Sequence, residues 1–236
     1  MNAFAVICIR HGVFIGSTLI PVDHSAVVMS TAEGSKKPVT TFMVGFLGPL
    51  VAIVCILIAI FISPWFSWSD NALSDLGNYN NGIAAAVVFN VGLIVTAVLM
   101  LYFTVTLLRA LKDWPTRIGL IILVVSLGFL ASIGVLSENF GSLHFYVSAG
   151  FFLPFPFAMW IIAISWLRYR KLWWFCLVSF LLPFVSLYMW TSYFGGTLPW
   201  TGVAIPEIVT SVTAIGWIWV INLLHKWGLL KQITRQ

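Results

Sequence analysis

Apolar residues in this chain run on without the strict alternation of a half-buried strand and without the three-to-four spacing of an amphipathic surface helix. Six such runs, at about residues 43–62, 83–108, 118–137, 143–167, 172–193 and 206–224, each supply the ~20 helical residues that cross a ~30 Å hydrocarbon core. Backbone polar groups find no partners in lipid, so an unbroken apolar run is satisfied by a helix and not by the alternating strand of a membrane barrel. The pattern therefore predicts an all-α, polytopic bundle of six transmembrane helices. Pro49, Pro154, Pro156 and Pro183 fall inside runs, and the pair at 154 and 156 predicts a bend in the fourth helix.

The charges sort by connection. Lys36 and Lys37 precede the first run; Arg109, Lys112 and Arg117 join the second to the third. Arg168, Arg170 and Lys171 join the fourth to the fifth, and Lys226, Lys231 and Arg235 follow the sixth. Connections 63–82, 138–142 and 194–205 hold no Lys or Arg. The positive-inside rule then predicts cytoplasmic termini, an outer face built by those three connections, and a multi-pass protein of the cell membrane.

Composition agrees: 61% hydrophobic and 8% charged residues leave too little charge to clothe a water-soluble surface. The formal net charge of +5 does not point to nucleic acid, because the bases flank spans where they meet anionic headgroups. Membrane lipids are the expected partners. Cys8, Cys55 and Cys176 show no CxxC spacing and read as small hydrophobes. Trp65, Trp68, Trp114, Trp173, Trp174 and Trp200 fall at span ends, where an indole keeps its N–H in the interface.

Three segments follow: an N-terminal segment 1–42, the six-helix membrane domain 43–224, and a basic cytoplasmic tail 225–236. Residues 4–22 are apolar but interrupted by Arg10, His11 and Pro21. Two alternatives stand open for them: a leader that lacks a basic leading end, or translation beginning at Met29.

Polar side chains near membrane depth are costly unless paired, so those present are candidates for function. They gather in the outer connections. The first carries Ser69, Asp70, Asn71, Ser74, Asp75 and Asn78 around Leu73 and Leu76. A short helical turn there would place Asp70 and Ser74 on one face. The alternative is capping, with Ser69 or Asp70 opening the turn and Gly77 closing it.

In the second outer connection, Glu138 and His144 bracket a tight turn, with Ser148 one helical turn beyond His144. An imidazole beside a carboxylate suits a general base or a metal ligand. Asp75, Glu138 and His144 are the candidate catalytic residues and equally the candidate ligands of a divalent metal, with Ser74 as a weaker catalytic candidate. Glu207, after Pro206, fits the first turn of the sixth helix, where a carboxylate favours the helix dipole. Asn90, inside the second run, suits an interhelical hydrogen bond. No phosphate-binding, dinucleotide-binding, GxSxG or HExxH template is present, so no cofactor-binding residues are assigned.

The six-span layout, Asn-Ala-Leu-Ser-Asp-Leu-Gly at 71–77 and Ser-Glu-Asn-Phe-Gly-Ser-Leu-His at 137–144 together resemble the DUF998 family of prokaryotic, often archaeal, membrane proteins. The resemblance covers roughly residues 42–224 and implies an architecture without a reaction. A more distant likeness is to membrane hydrolases of the alkaline ceramidase and adiponectin-receptor type, which set a Ser, an Asp and three His around zinc. That likeness implies parts for Ser74, Asp75 and His144. Two histidines have no counterpart on this face, so Glu138 or Glu207 would replace them, and such a carboxylate-rich set suits Mg²⁺, Mn²⁺ or Ca²⁺ as well as zinc.

Three functions are consistent with these features. One is an enzyme acting on a lipid at the outer face, with Asp75 and Glu138 as ligands or acid and base, and His144 as base. A non-catalytic lipid-binding, scaffolding or sensory protein is the second. The third is a transporter, against which stands the lack of ionisable residues in mid-span.

Overall fold

The computed structural model describes the backbone of residues 8–9, 12–15, 18–21 and 24–234 and the side chains of residues 39–233. The chain forms two compact units, Met1–Thr40 and Thr41–Gln236. In the first, strands β1 (Cys8–Ile9), β2 (Gly12–Ile15) and β3 (Thr18–Pro21) pair antiparallel in chain order, with Val13 opposite Ile20. Helix α1 (His24–Phe61) follows. Arg10, His11 and Arg235, and the choice between a leader and a start at Met29, lie outside the described residues.

Among the described residues, six helices are long and apolar enough to cross a membrane. They are the Val39–Phe61 part of α1, α2 (Ile83–Ala110), α3 (Trp114–Val135), the pair α4 (Ser142–Phe152) and α5 (Pro154–Trp166), α6 (Trp173–Phe194, counted as a span from Arg170) and α7 (Ala204–Lys226). A last turn, α8, covers Lys231–Thr234. These match the six apolar runs to within a few residues at each end.

The differences have local causes. The third span begins at Trp114 instead of at residue 118 because Asp113 caps it, its carboxylate accepting the Thr116 N–H at 3.0 Å, with Pro115 in the first turn. Arg117 is therefore helical and not in a loop. The fourth span is broken, as its prolines predicted. Pro154 and Pro156 have no N–H to donate, so α4 ends at Phe152 and α5 restarts at Pro154. Near the break the Phe151 carbonyl accepts the Ser126 hydroxyl of α3 at 2.7 Å, the kind of outside partner a broken membrane helix needs. Pro183, by contrast, is absorbed inside α6.

Within the second unit each span packs on the next in chain order: α2 on α3, α3 on α4 and α5, α5 on α6, and α6 on α7. The last returns to the first, with Phe46 stacked on Trp219, the Trp219 indole donating to the Phe46 carbonyl, and Asn222 donating to the Phe42 carbonyl. Small residues permit the close approaches. A Cβ on Gly134 of α3 would sit 2.5 Å from the Asn90 carbonyl oxygen of α2, so only glycine fits. The ring closes over buried Phe103, Phe155, Trp166, Phe175 and Trp217. Leu57, Val98, Val125, Ile164, Leu177 and Val212 are exposed on its outside, one from each span, as a lipid-facing surface requires.

Candidate functional site

The three connections without Lys or Arg meet at one end of the bundle. The first forms a 3-10 turn at Leu73–Gly77, with Leu73 and Leu76 buried beneath it. The third docks on it: the amides of Thr201 and Gly202 donate to the Ser69 carbonyl, and that of Ala204 to Asn71. The second, a 3-10 turn at Glu138–Phe140, is stitched to it through Asn139, which accepts the Tyr79 N–H at 2.9 Å and donates to Asn78 at 2.8 Å.

Asp70 and Ser74 do not share a helical face. Asp70 lies before the turn, exposed, and accepts the Ser67 and Ser69 hydroxyls at 2.6 and 2.9 Å. Those bonds favour its charged form and lower its pKa. The residue opening the turn is Ala72, not Ser69 or Asp70, and Asn78, not Gly77, closes it. Asp75 supplies the cap from inside the turn, its carboxylate accepting the Ala72 N–H at 2.9 Å and the Asn71 amide at 3.2 Å.

Glu207 occupies the first turn of α7 and reaches across the bundle end. Its carboxylate, 9% exposed, accepts the Leu73 N–H at 2.6 Å, with the Ser74 amide directed at it as well. It thus satisfies the start of a turn in a distant loop, a role the helix-dipole expectation did not include. Asn90, in keeping with its expected role, donates to the Gly77 carbonyl at 2.9 Å.

Glu138 and His144 do meet. Gly141, at φ +53° and ψ −114°, turns the chain in a conformation that suits glycine, and α4 starts at the next residue. The His144 Nε2 then lies 3.1 Å from the Glu138 Oε2. Its Nδ1 lies 2.7 Å from the Leu136 carbonyl, which can only accept, so Nδ1 carries hydrogen. The Nε2 is thereby left facing the Glu138 carboxyl. A ring fixed at one nitrogen and facing a carboxyl with the other is a pre-oriented acid–base pair.

This pair borders a cavity of about 590 Å³ between α4, α5, α6 and α7. Its polar lining is Ser74, Glu138, His144, Ser148 and Glu207, with Ser186 of α6 and Thr210 of α7. The remaining wall is apolar and aromatic, including Phe152, Phe157, Trp160, Trp190, Tyr193 and Phe194. The Pro183–Phe194 stretch along it is about 16 Å long at ~1.5 Å per residue. A smaller space of about 50 Å³ shares Ser74, His144 and Glu207 with it as lining and is bordered also by Phe89 and Leu130.

Of the sequence candidates, Ser74, Glu138, His144 and Glu207 line the cavity, whereas Asp75 does not and is occupied with its cap. Among the described residues no three His, Cys, Asp or Glu side chains gather as a metal site would require. What the geometry offers is the contact between Glu138 and His144.

Asp113, at the opposite, basic end, is a residue that the sequence pattern did not single out. It is 6% exposed and accepts from Thr116, from the Ser165 hydroxyl and from the Arg168 guanidinium, while Trp166 donates to Thr116 at 2.9 Å. Burial alone would raise its pKa, but the bonds from Ser165, Thr116 and Arg168 outweigh it and hold the carboxyl below its usual value. The signal was present in Asp113-Trp114-Pro115-Thr116, a capping residue just before a proline. With every partner internal, the cluster clamps α3 to the end of α5.

A protein-family model described as a protein of unknown function, DUF998, matches residues 46–224. No curated protein and no solved structure matches the chain.

Proposed function

The chain belongs to the DUF998 family, and from that premise we propose that it is a lipid-directed enzyme whose site is the cavity beside Glu138 and His144. The carrying observation is their 3.1 Å contact in the polar lining of a space of about 590 Å³ walled by aromatic and aliphatic side chains. Ligand pockets of this kind are mostly apolar, of ~300–1,000 Å³, with a few convergent polar groups. A lipid tail would lie along α5 and α6, and its polar end would face His144. There the Glu138 carboxyl exchanges a proton with the reacting group, and His144, whose two ring nitrogens are engaged by Leu136 and Glu138, orients that carboxyl and balances its charge. The absence of Lys and Arg at this end supports placing the site at the outer leaflet of the cell membrane, with both termini in the cytoplasm.

Comparative lipid analysis of cells carrying wild-type protein, His144→Ala or Glu138→Gln tests this. One lipid class should change with the wild type and stay at the gene-deletion level with both variants. Lipid profiles that do not differ between wild type and deletion would sink the catalytic reading. A second reading, a lipid-binding protein without catalysis, is favoured by the commitment of Asp75 and Glu207 to backbone amides. In that case purified protein retains a lipid that neither variant nor wild type alters chemically.

A further inference from the structure

Each ionisable group that lines the cavity is already engaged within the chain. Glu138 and His144 face each other at 3.1 Å, and the second ring nitrogen of His144 meets the Leu136 carbonyl. The Glu207 carboxyl accepts the Leu73 N–H at 2.6 Å. No Lys or Arg lines the space. An ionic head of either sign entering here finds no free counter-charge, and a charge taken out of water without one is costly.

Two polar side chains of the lining are not engaged. Ser74 and Ser148 border both the larger and the smaller space, as His144 does, and Ser74 is only 8% exposed. Among the described residues neither of their hydroxyls has a hydrogen-bond partner. The other hydroxyls of the lining differ: Ser186 pairs with Thr213, and Thr210 donates to the Pro206 carbonyl and accepts from Trp190. Buried hydroxyls are ordinarily satisfied, so two left open in a mainly apolar space mark where the polar atoms of a ligand belong. A hydroxyl offers one donor and two acceptor positions, a match for an alcohol, an ester or an amide.

We infer that the cavity takes an amphiphile whose head carries no ionised group, a long-chain alcohol, ester or amide bonded by Ser74 and Ser148. The inference rests on the cavity being the lipid site proposed above, and it adds the chemical class of the occupant. The aromatic and aliphatic wall holds the chain, and the two hydroxyls hold the head.

The probes share a twelve-carbon chain and differ in the head: monododecanoylglycerol, dodecylsulfonate and dodecyltrimethylammonium. Each is titrated at neutral pH onto full-length protein in phosphatidylcholine nanodiscs, with empty nanodiscs subtracted. The glycerol ester should bind at least about tenfold more tightly than either ionic probe, since burying an uncompensated charge costs more than that factor. Ser74→Ala and Ser148→Ala each remove one hydroxyl and should weaken the glycerol ester about three- to tenfold, the range of a single neutral hydrogen bond. Neither should weaken the ionic probes, and thermal unfolding of the variants confirms that they fold.

Equal or tighter binding of either ionic probe by the wild type overturns the inference, whether or not a variant folds. So does a folded double variant, Ser74→Ala with Ser148→Ala, that binds the glycerol ester as tightly as the wild type. Selective binding of the uncharged probe together with unchanged lipid profiles would refute catalysis and leave the inference standing. A lipid change that depends on Glu138 and His144, without preference for the uncharged probe, would refute the inference and leave catalysis standing.

Discussion

His144 is held at both ring nitrogens, and the two contacts predict different losses. Glu138→Gln keeps the shape of the partner and removes its charge, so the ring should stay in place while proton exchange with the reacting group fails. General acid–base contributions are typically about 10²–10⁴-fold, and turnover of the affected lipid should fall by that order. Asn at 144 should be as inactive as Ala, because a side chain held by the Leu136 carbonyl but without the imidazole no longer balances the charge of Glu138. A variant at either position with wild-type turnover would remove the pair from the chemistry.

Asp113 makes a separate prediction at the same scale. Its folded pKa is lowered, so it adds stability above the ordinary carboxylate pKa of ~3.9, and that stability drains away as pH falls through the lower folded value. Thermal unfolding in detergent at pH 7 and at successively more acidic pH should show a decline for the wild type that Asp113→Asn largely lacks. At neutral pH, Asp113→Ala should cost about 2–3 kcal/mol, below the ~3–5 kcal/mol of a fully enclosed pair because Arg168 is half in solvent. A shift under ~0.5 kcal/mol, the level of an ordinary surface change, would contradict the clamp.

Among the elements, the link between Glu138 and His144 is the turn at Gly141. Gly141→Ala forces a Cβ into a conformation that suits glycine, at about 1–3 kcal/mol. The turn should relax, separating the pair and lowering turnover more than a surface substitution such as Asn80→Ala. Hydrogen exchange at residues 137–143 would register the loosening.

The spans themselves were legible in the sequence because lipid allows only one solution to a long apolar run, and the broken fourth span because proline's missing donor is a local fact. The loops were legible only in part. Glu138 and His144 were paired from their spacing, since a short turn leaves few places for them to go. The bond that Asp75 makes was not legible, because the same side chain at that position serves a cap or a cavity and only the folded chain brings the Ala72 amide to it. Glu207 looked like a helix-dipole residue because its partner Leu73 lies 134 positions away, beyond any periodicity. The Asp113 cluster was hidden for the same reason, joining Thr116 to Ser165 and Arg168 of another helix.

At the scale of the whole molecule, six spans closing in chain order leave one end basic and the other acidic. Their orientation is open to a direct check. With the native cysteines replaced, Asn80→Cys should react with a membrane-impermeant maleimide added to intact cells, and Lys112→Cys should react only after permeabilisation. The opposite labelling would place the cavity at the inner leaflet and move its source of substrate with it.

The cavity carries the central claim, and a photoreactive long-chain lipid tests it most directly. A diazirine at the chain end, activated in nanodiscs and mapped by peptide mass spectrometry, should mark Phe152–Trp160 of α4 and α5 and Pro183–Phe194 of α6. Lipid-facing positions such as Val98 and Val125 should remain at the background of an inactive control protein. Labelling spread evenly over the lipid-facing surface, with no excess on those two stretches, would contradict the account.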